Sequence, residues 1–165
     1  MKSITKLPTL VLLALLTFSC STDSLDDTAE KLAIENLVVP QAKTIEIEIL
    51  ELINNHRLSI GLNPLRNMDI IKSQAYGHTD YMVDQNEVSH DNFYSRKNYL
   101  TSNTGAKSVS ENVAYGFTSA QSVVNAWLNS EGHKQNIEGN FTDFDISAEK
   151  NVDGKWYYTN IFIKK

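Results

Sequence analysis

Cysteine is nearly absent: Cys20 is the single one in 165 residues, so no internal disulfide can form and a folded domain must rest on its core. Proline and glycine are scarce, with 3 and 7 copies, which excludes collagen-like and low-complexity classes. Only one long hydrophobic run occurs, Leu7 to Phe18, behind Lys2 and Lys6. It is too short to cross a bilayer as a stable helix and reads as a signal peptide. Basic residues are also in deficit. Removing residues 1–20 leaves 13 of them against 20 acidic groups, a net charge of −7, and nucleic acid is therefore excluded as an expected partner.

What is present suits one globular domain with appended sequence, since 41% of the residues are hydrophobic. The hydrophobic run ends at Thr17-Phe18-Ser19-Cys20, which resembles a bacterial lipobox and implies lipidation of Cys20. The alternative is an ordinary secretion signal with a stray thiol. Residues 1–20 are thus expected to be a lipoprotein signal peptide, 21–41 an acidic tether carrying Asp23, Asp26, Asp27 and Glu30, and 42–165 the domain. Membrane attachment is expected through the lipid at Cys20.

Within the domain, Ile45, Ile49, Leu52, Ile53, His56 and Ile60 make a helical stripe that stops at Gly61. A second helix is expected over about Asn67 to Gln85, with Ile71, Ala75, His78 and Met82 on its apolar face. Asn92 to Lys107 shows no clean periodicity and reads as a loop-rich wall. Ser108 to Asn136 reads as one amphipathic segment, with Ala120, Val123, Val124, Trp127 and Leu128 at helical spacing and Glu111 and His133 at its two ends. Alternating residues at Phe144, Ile146 and Ala148, then Asn151-Val152-Asp153-Gly154, then the apolar run Trp156 to Ile163 predict a hairpin. A strand apolar on both faces needs cover on both sides, which points to an α-β-α sandwich.

Four side chains stand out chemically. Ser108-x-x-Glu111 matches a capping box, and on spacing alone that role competes with a functional carboxylate. His78 lies on an apolar face and needs a hydrogen-bond partner there, whether as a core residue or a functional one. His90 and His133 sit beside flexible polar sequence, from which either could reach a cleft or solvent. His56, beside Arg57 at a helix end, reads as a packed or solvated residue.

Asn54-Asn55-His56-Arg57 with Gly61-Leu62-Asn63-Pro64-Leu65, Ala75-Tyr76-Gly77-His78, Val88-Ser89-His90-Asp91, Ser110-Glu111-Asn112-Val113-Ala114 and Trp127-Leu128-Asn129-Ser130-Glu131-Gly132-His133 appear in this order. Together they resemble the successive signatures of bacterial CAP-superfamily (SCP-like) domains, related to cysteine-rich secretory proteins, antigen 5 and plant pathogenesis-related proteins. The resemblance covers about residues 44–165. It implies a three-layer α-β-α sandwich with a central, mainly antiparallel sheet and a cleft lined by His78, His90, Glu111 and His133, sometimes holding zinc, for which His90 and His133 would be the ligands. Ser130 stands where animal and plant members carry a second cleft Glu, with Glu131 next to it.

The functional expectation is a cell-envelope-anchored module, exported and held at the outer membrane, that binds an extracellular ligand and optionally Zn2+. Two imidazoles and a carboxylate could also form a first shell for metal-dependent hydrolysis of peptide or envelope substrates. No Ser or Cys nucleophile is identifiable by spacing. Lipid binding is a third reading, which no feature of the sequence favours.

Overall fold

The computed structural model describes residues 37–165. Cys20, the signal segment and most of the tether lie outside the described residues.

The first helix, α1 (Thr44–Ser59), buries Ile49, Leu50 and Ile53 along one stripe. It ends where expected. Gly61 takes a left-handed φ of 79°, and Leu62 N–H donates to Arg57 O at 2.9 Å while Gly61 N–H donates to Leu58 O at 3.1 Å. This closes the last turn in the way a Schellman motif does. A two-residue strand β1 (Arg66–Asn67) follows and leads into α2 (Asp69–Gln85). Asn67, expected as the first residue of the helix, instead pairs with Phe144 in the sheet.

Two expectations are overturned. The stretch 92–107 contains a regular helix, α3 (Phe93–Thr104), in which only Arg96 and Leu100 are buried. One buried row four residues apart leaves too little apolar signal to register as a period. Likewise Ser108 to Asn136 is not one helical segment but a strand and two short helices, β2 (Ser108–Tyr115), α4 (Ala120–Leu128) and α5 (Glu131–Ile137). Glu111 is thus mid-strand and caps no helix. A capping box does form at α4, where Ser119 Oγ accepts from Ser122 N–H at 3.2 Å.

The hairpin is as expected. β3 (Asp143–Lys150) and β4 (Trp156–Lys164) pair antiparallel around a turn in which Gly154 has φ 74°. Strand order is β1-β3-β4-β2, with β1 parallel to β3 and the other pairs antiparallel. One face carries Val109, Ile161 and Ile163 against Ile71, Ala75 and Leu100 of α2 and α3. The other carries Phe144, Ile146, Ala148, Tyr158 and Phe162 against α1 and α4, including the fully buried Val123 and Trp127. This is the three-layer α-β-α arrangement.

Register also places chemistry. Glu111 pairs with Ile161, and Ile161 with Asp145, so the two carboxylates lie in one row on the α2 face with β4 between them. No helix among the described residues is long and apolar enough to cross a membrane.

Candidate functional site

Glu111 is the centre of the site. Its side chain is 1% exposed and its two oxygens are held by a guanidinium: Arg96 Nε donates to Oε2 and Nη2 to Oε1, each at 2.9 Å. Helix α3 presents Arg96 to the strand, and Arg96 Nη1 also donates to Asp91 O at 2.6 Å, which pins the loop before the helix. Sequence reasoning missed Arg96. An arginine at the single buried row of a weakly patterned helix was the available signal.

His90 approaches the same carboxylate from the loop, with Nδ1 2.9 Å from Oε1. A carboxylate only accepts, so Nδ1 carries the proton, and in the neutral ring Nε2 keeps its lone pair. The His90 side chain is 53% exposed, which leaves that lone pair open to a ligand. Glu111 therefore orients His90, and Arg96 orients Glu111.

His78 is buried under this pair. Nε2 donates to Ser89 O at 2.8 Å and lies 3.8 Å from Glu111 Oε1, while Nδ1 has no partner among the described residues. Burial pushes its pKa down, against the attraction of Glu111, and the neighbouring Arg96 charge lowers it further. It is a neutral ring, protonated on Nε2, that fastens the His90 loop onto α2.

His133 lies on α5, near enough to His90 for their charges to interact, but lines neither of the hollows that flank Glu111. Its Nδ1 is 2.9 Å from Ser130 Oγ, and burial together with the nearby His90 lowers its pKa. Asn112 Nδ2 donates to His133 O at 3.0 Å, and Asn136 Nδ2 donates to Asn112 Oδ1 at 2.8 Å, so two amides fix α5 on β2. Of the two candidates for the missing second Glu, Ser130 touches the histidine. Glu131 is exposed and faces Gln135 at 3.5 Å.

Burial alone would raise the Glu111 pKa. The hydrogen bonds from His90 and Arg96 and the Arg96 charge outweigh it, and the carboxyl sits below its ordinary value. Such a carboxylate is a weak base. Open space flanks the cluster on both sides: about 300 Å³ lined by His90, Phe93, Val109, Ser110, Glu111 and Asn136, and about 250 Å³ beside His78, Tyr81 and Arg96. A larger cavity of about 670 Å³ lies elsewhere, between α1 and the start of α2, and contains no histidine.

The CAP family model (cysteine-rich secretory protein family) matches residues 50–162 of this chain, which folds with α2 and α3 on one side of a mixed sheet and α1, α4 and α5 on the other. The chain belongs to the CAP family. Two Bacillus subtilis proteins are 31% identical to it: the uncharacterized protein YkwD over 142 residues, and the uncharacterized membrane protein YlbC over 126 residues. These alignments take in 84% and 74% of this chain but only 54% and 35% of those proteins. Among solved structures, an extracellular SCP-domain protein of Bacillus anthracis superposes with TM-score 0.61 at 30% identity, covering 73% of this chain and 40% of that one. An outer surface protein of Borrelia burgdorferi superposes with TM-score 0.64 at 22% identity, over 71% of this chain and 90% of that one. At that identity the likeness speaks for the fold.

The donor set of this CAP domain does not fit a three-ligand zinc shell. Both Glu111 oxygens are engaged by a guanidinium whose charge opposes a cation, and the His78 nitrogen facing Glu111 is spent on Ser89 O. Among the described residues no group of three or more His, Cys, Asp or Glu side chains is placed to hold a metal ion. His90 and His133 are the two imidazoles left for any metal.

Proposed function

We propose that this CAP-domain protein is an exported, envelope-anchored binding module that takes an extracellular ligand in the cleft beside His90 and Glu111. The observation that carries this reading is the His90-Glu111-Arg96 chain. It fixes one imidazole so that Nε2 faces open space, while the carboxylate behind it is neutralised by Arg96. Such a ring hydrogen-bonds a ligand donor, or carries charge when protonated. It has no hydroxyl or thiol nucleophile assigned to it, and the buried, low-pKa Glu111 is poorly suited to proton abstraction.

The extracellular description of the Bacillus anthracis protein supports export. The signal-like run and Cys20 support a lipid anchor.

The test is equilibrium binding and turnover of purified cell-wall fragments by the full chain and its His90→Ala variant. Saturable binding without cleavage, weakened at least tenfold in the variant, is expected. Cleavage that disappears in the variant would replace this reading with a hydrolase.

A further inference from the structure

The two edges of the sheet are finished differently. On the β3 side, where β1 stops after two residues, a buried ion pair closes the edge: Glu46 Oε1 accepts from Ala148 N–H and Lys72 Nζ donates to Ile146 O, both at 2.7 Å, with Glu46 Oε2 and Lys72 Nζ 2.7 Å apart. On the β2 side the cover is partial. Gly116 N–H donates to Trp156 O at 2.8 Å, which sets the even-numbered residues of β2 toward β4 and the odd-numbered ones outward. Two outward carbonyls agree with this phase, Val113 O accepting from Trp127 Nε1 at 3.1 Å and Glu111 O from Asn136 Nδ2 at 3.3 Å.

That leaves Val109 N–H, Val109 C=O and Glu111 N–H facing outward, and none of the three has a partner among the described residues. They are not scattered. All three belong to residues that line the 300 Å³ hollow, whose walls are His90 and Phe93 on one side and Asn136 on the other.

We propose that the cleft ligand is an extended peptide that adds to the Val109–Glu111 edge of β2. This rests on the binding-module reading above and names the ligand class for it. An amide backbone offers the alternating donor and acceptor that this edge lacks, at the strand repeat of roughly 3.4 Å per residue. A chain running antiparallel exchanges both bonds with Val109. A chain running parallel gives its N–H to Val109 O and takes Glu111 N–H. Successive side chains then fall alternately toward Phe93 and His90 and toward Asn136. A lipid tail can make neither bond. The ladder ends at Glu111 O, which Asn136 already occupies, so the recognised stretch is short.

The experiment is amide hydrogen exchange by NMR on the 15N-labelled full chain with three probes: acetyl-Thr-Val-Thr-Val-Thr-amide, the same peptide with alternate nitrogens methylated, and chitotetraose. The expected result is saturable protection of the Val109 and Glu111 amides by at least tenfold with the first peptide, and loss of binding by at least tenfold on methylation. Equal binding of the methylated peptide overturns the proposal. So does protection of these amides by chitotetraose alone. If the peptide shifts the His90 and His133 ring signals while both amides exchange freely, the cleft remains a binding site and the strand addition is wrong. If neither moves, the peptide proposal falls, and the cell-wall binding measurement decides the module reading separately.

Discussion

Arg96 and Glu111 form a two-point ion pair across the α3–β2 interface, with both bonds at 2.9 Å and the carboxylate side chain 1% exposed. Parallel N–H···O bonds of this kind fix orientation as well as charge, which a lysine in the same place could not do.

Removing the guanidinium should therefore leave a buried carboxylate without its partner. Arg96→Met is expected to destabilise the domain by about 3–5 kcal/mol. Arg96→Lys should fall between it and wild type. Urea unfolding midpoints check this, and a ranking with Arg96→Lys no better than Arg96→Met would deny the importance of the fork.

Asp145 predicts an opposite effect of pH. Burial raises its pKa from 3.8 to about 6, against the amide donors of Ile146 and Met68 and the charge of Lys72. The folded state then holds this proton more tightly than the unfolded chain. Its contribution is full below pH about 4 and is lost as pH rises through about 6, a swing of about 3 kcal/mol. Asp145→Asn keeps an acceptor and removes the titration. Stability at pH 7 should rise relative to wild type while stability at pH 4 should not, as read from chemical denaturation at the two values.

Glu111, His78 and His133 act in the other direction. All three have lowered pKa values when folded. The histidine contributions are present above about 6.5 and decline as pH falls through their folded values, and the Glu111 contribution, present above about 4.3, declines as pH falls through its own. Acid unfolding of Glu111→Gln should lack the lowest-pH part of this loss. A profile identical to wild type would mean that the Arg96 pair does not lower the carboxyl.

The β3 edge predicts strong non-additivity. Lys72→Met removes the nearer cation from the fully buried Glu46, leaving Lys43 Nζ at 3.8 Å, and should cost up to about 3–5 kcal/mol. Adding Glu46→Gln should recover part of that, because a neutral amide keeps an acceptor for Ala148 N–H without a buried charge. A double-mutant cycle on unfolding free energies measures the coupling, and strictly additive losses would contradict it.

Cys20 predicts where the protein is found. Cys20→Ser should release it from the membrane fraction of expressing cells into the soluble exported fraction, as followed by fractionation and immunoblot. Retention of the serine variant in membranes would remove the lipid anchor from the proposed function.

Much of this was legible in the sequence because ordered short motifs survive where periodicity fails. His78, His90, Glu111 and His133 each sit in such a motif, and the structure gathers the first three around one carboxylate oxygen, with His133 close enough for the charge of His90 to act on it. The elements that carry them were harder to read. β2 buries Glu111 and Asn112 on opposite faces, so the strand lacks the apolar-polar alternation that marks a half-buried edge strand. α3 hides because its buried row contains a guanidinium. In both cases polar residues occupy core positions because they hydrogen-bond one another across elements, and that pairing is invisible to a reading of one segment at a time.

The link at the start of α1 has a mechanical meaning. Lys43 Nζ meets Glu149 Oε1 at 2.5 Å, and Lys43 N–H donates to Glu46 Oε2 at 2.7 Å. Glu46 in turn holds the β3 backbone at Ala148. A pull on the chain from its N-terminal side therefore enters the sheet through two carboxylates before it can unwind the first helical turn.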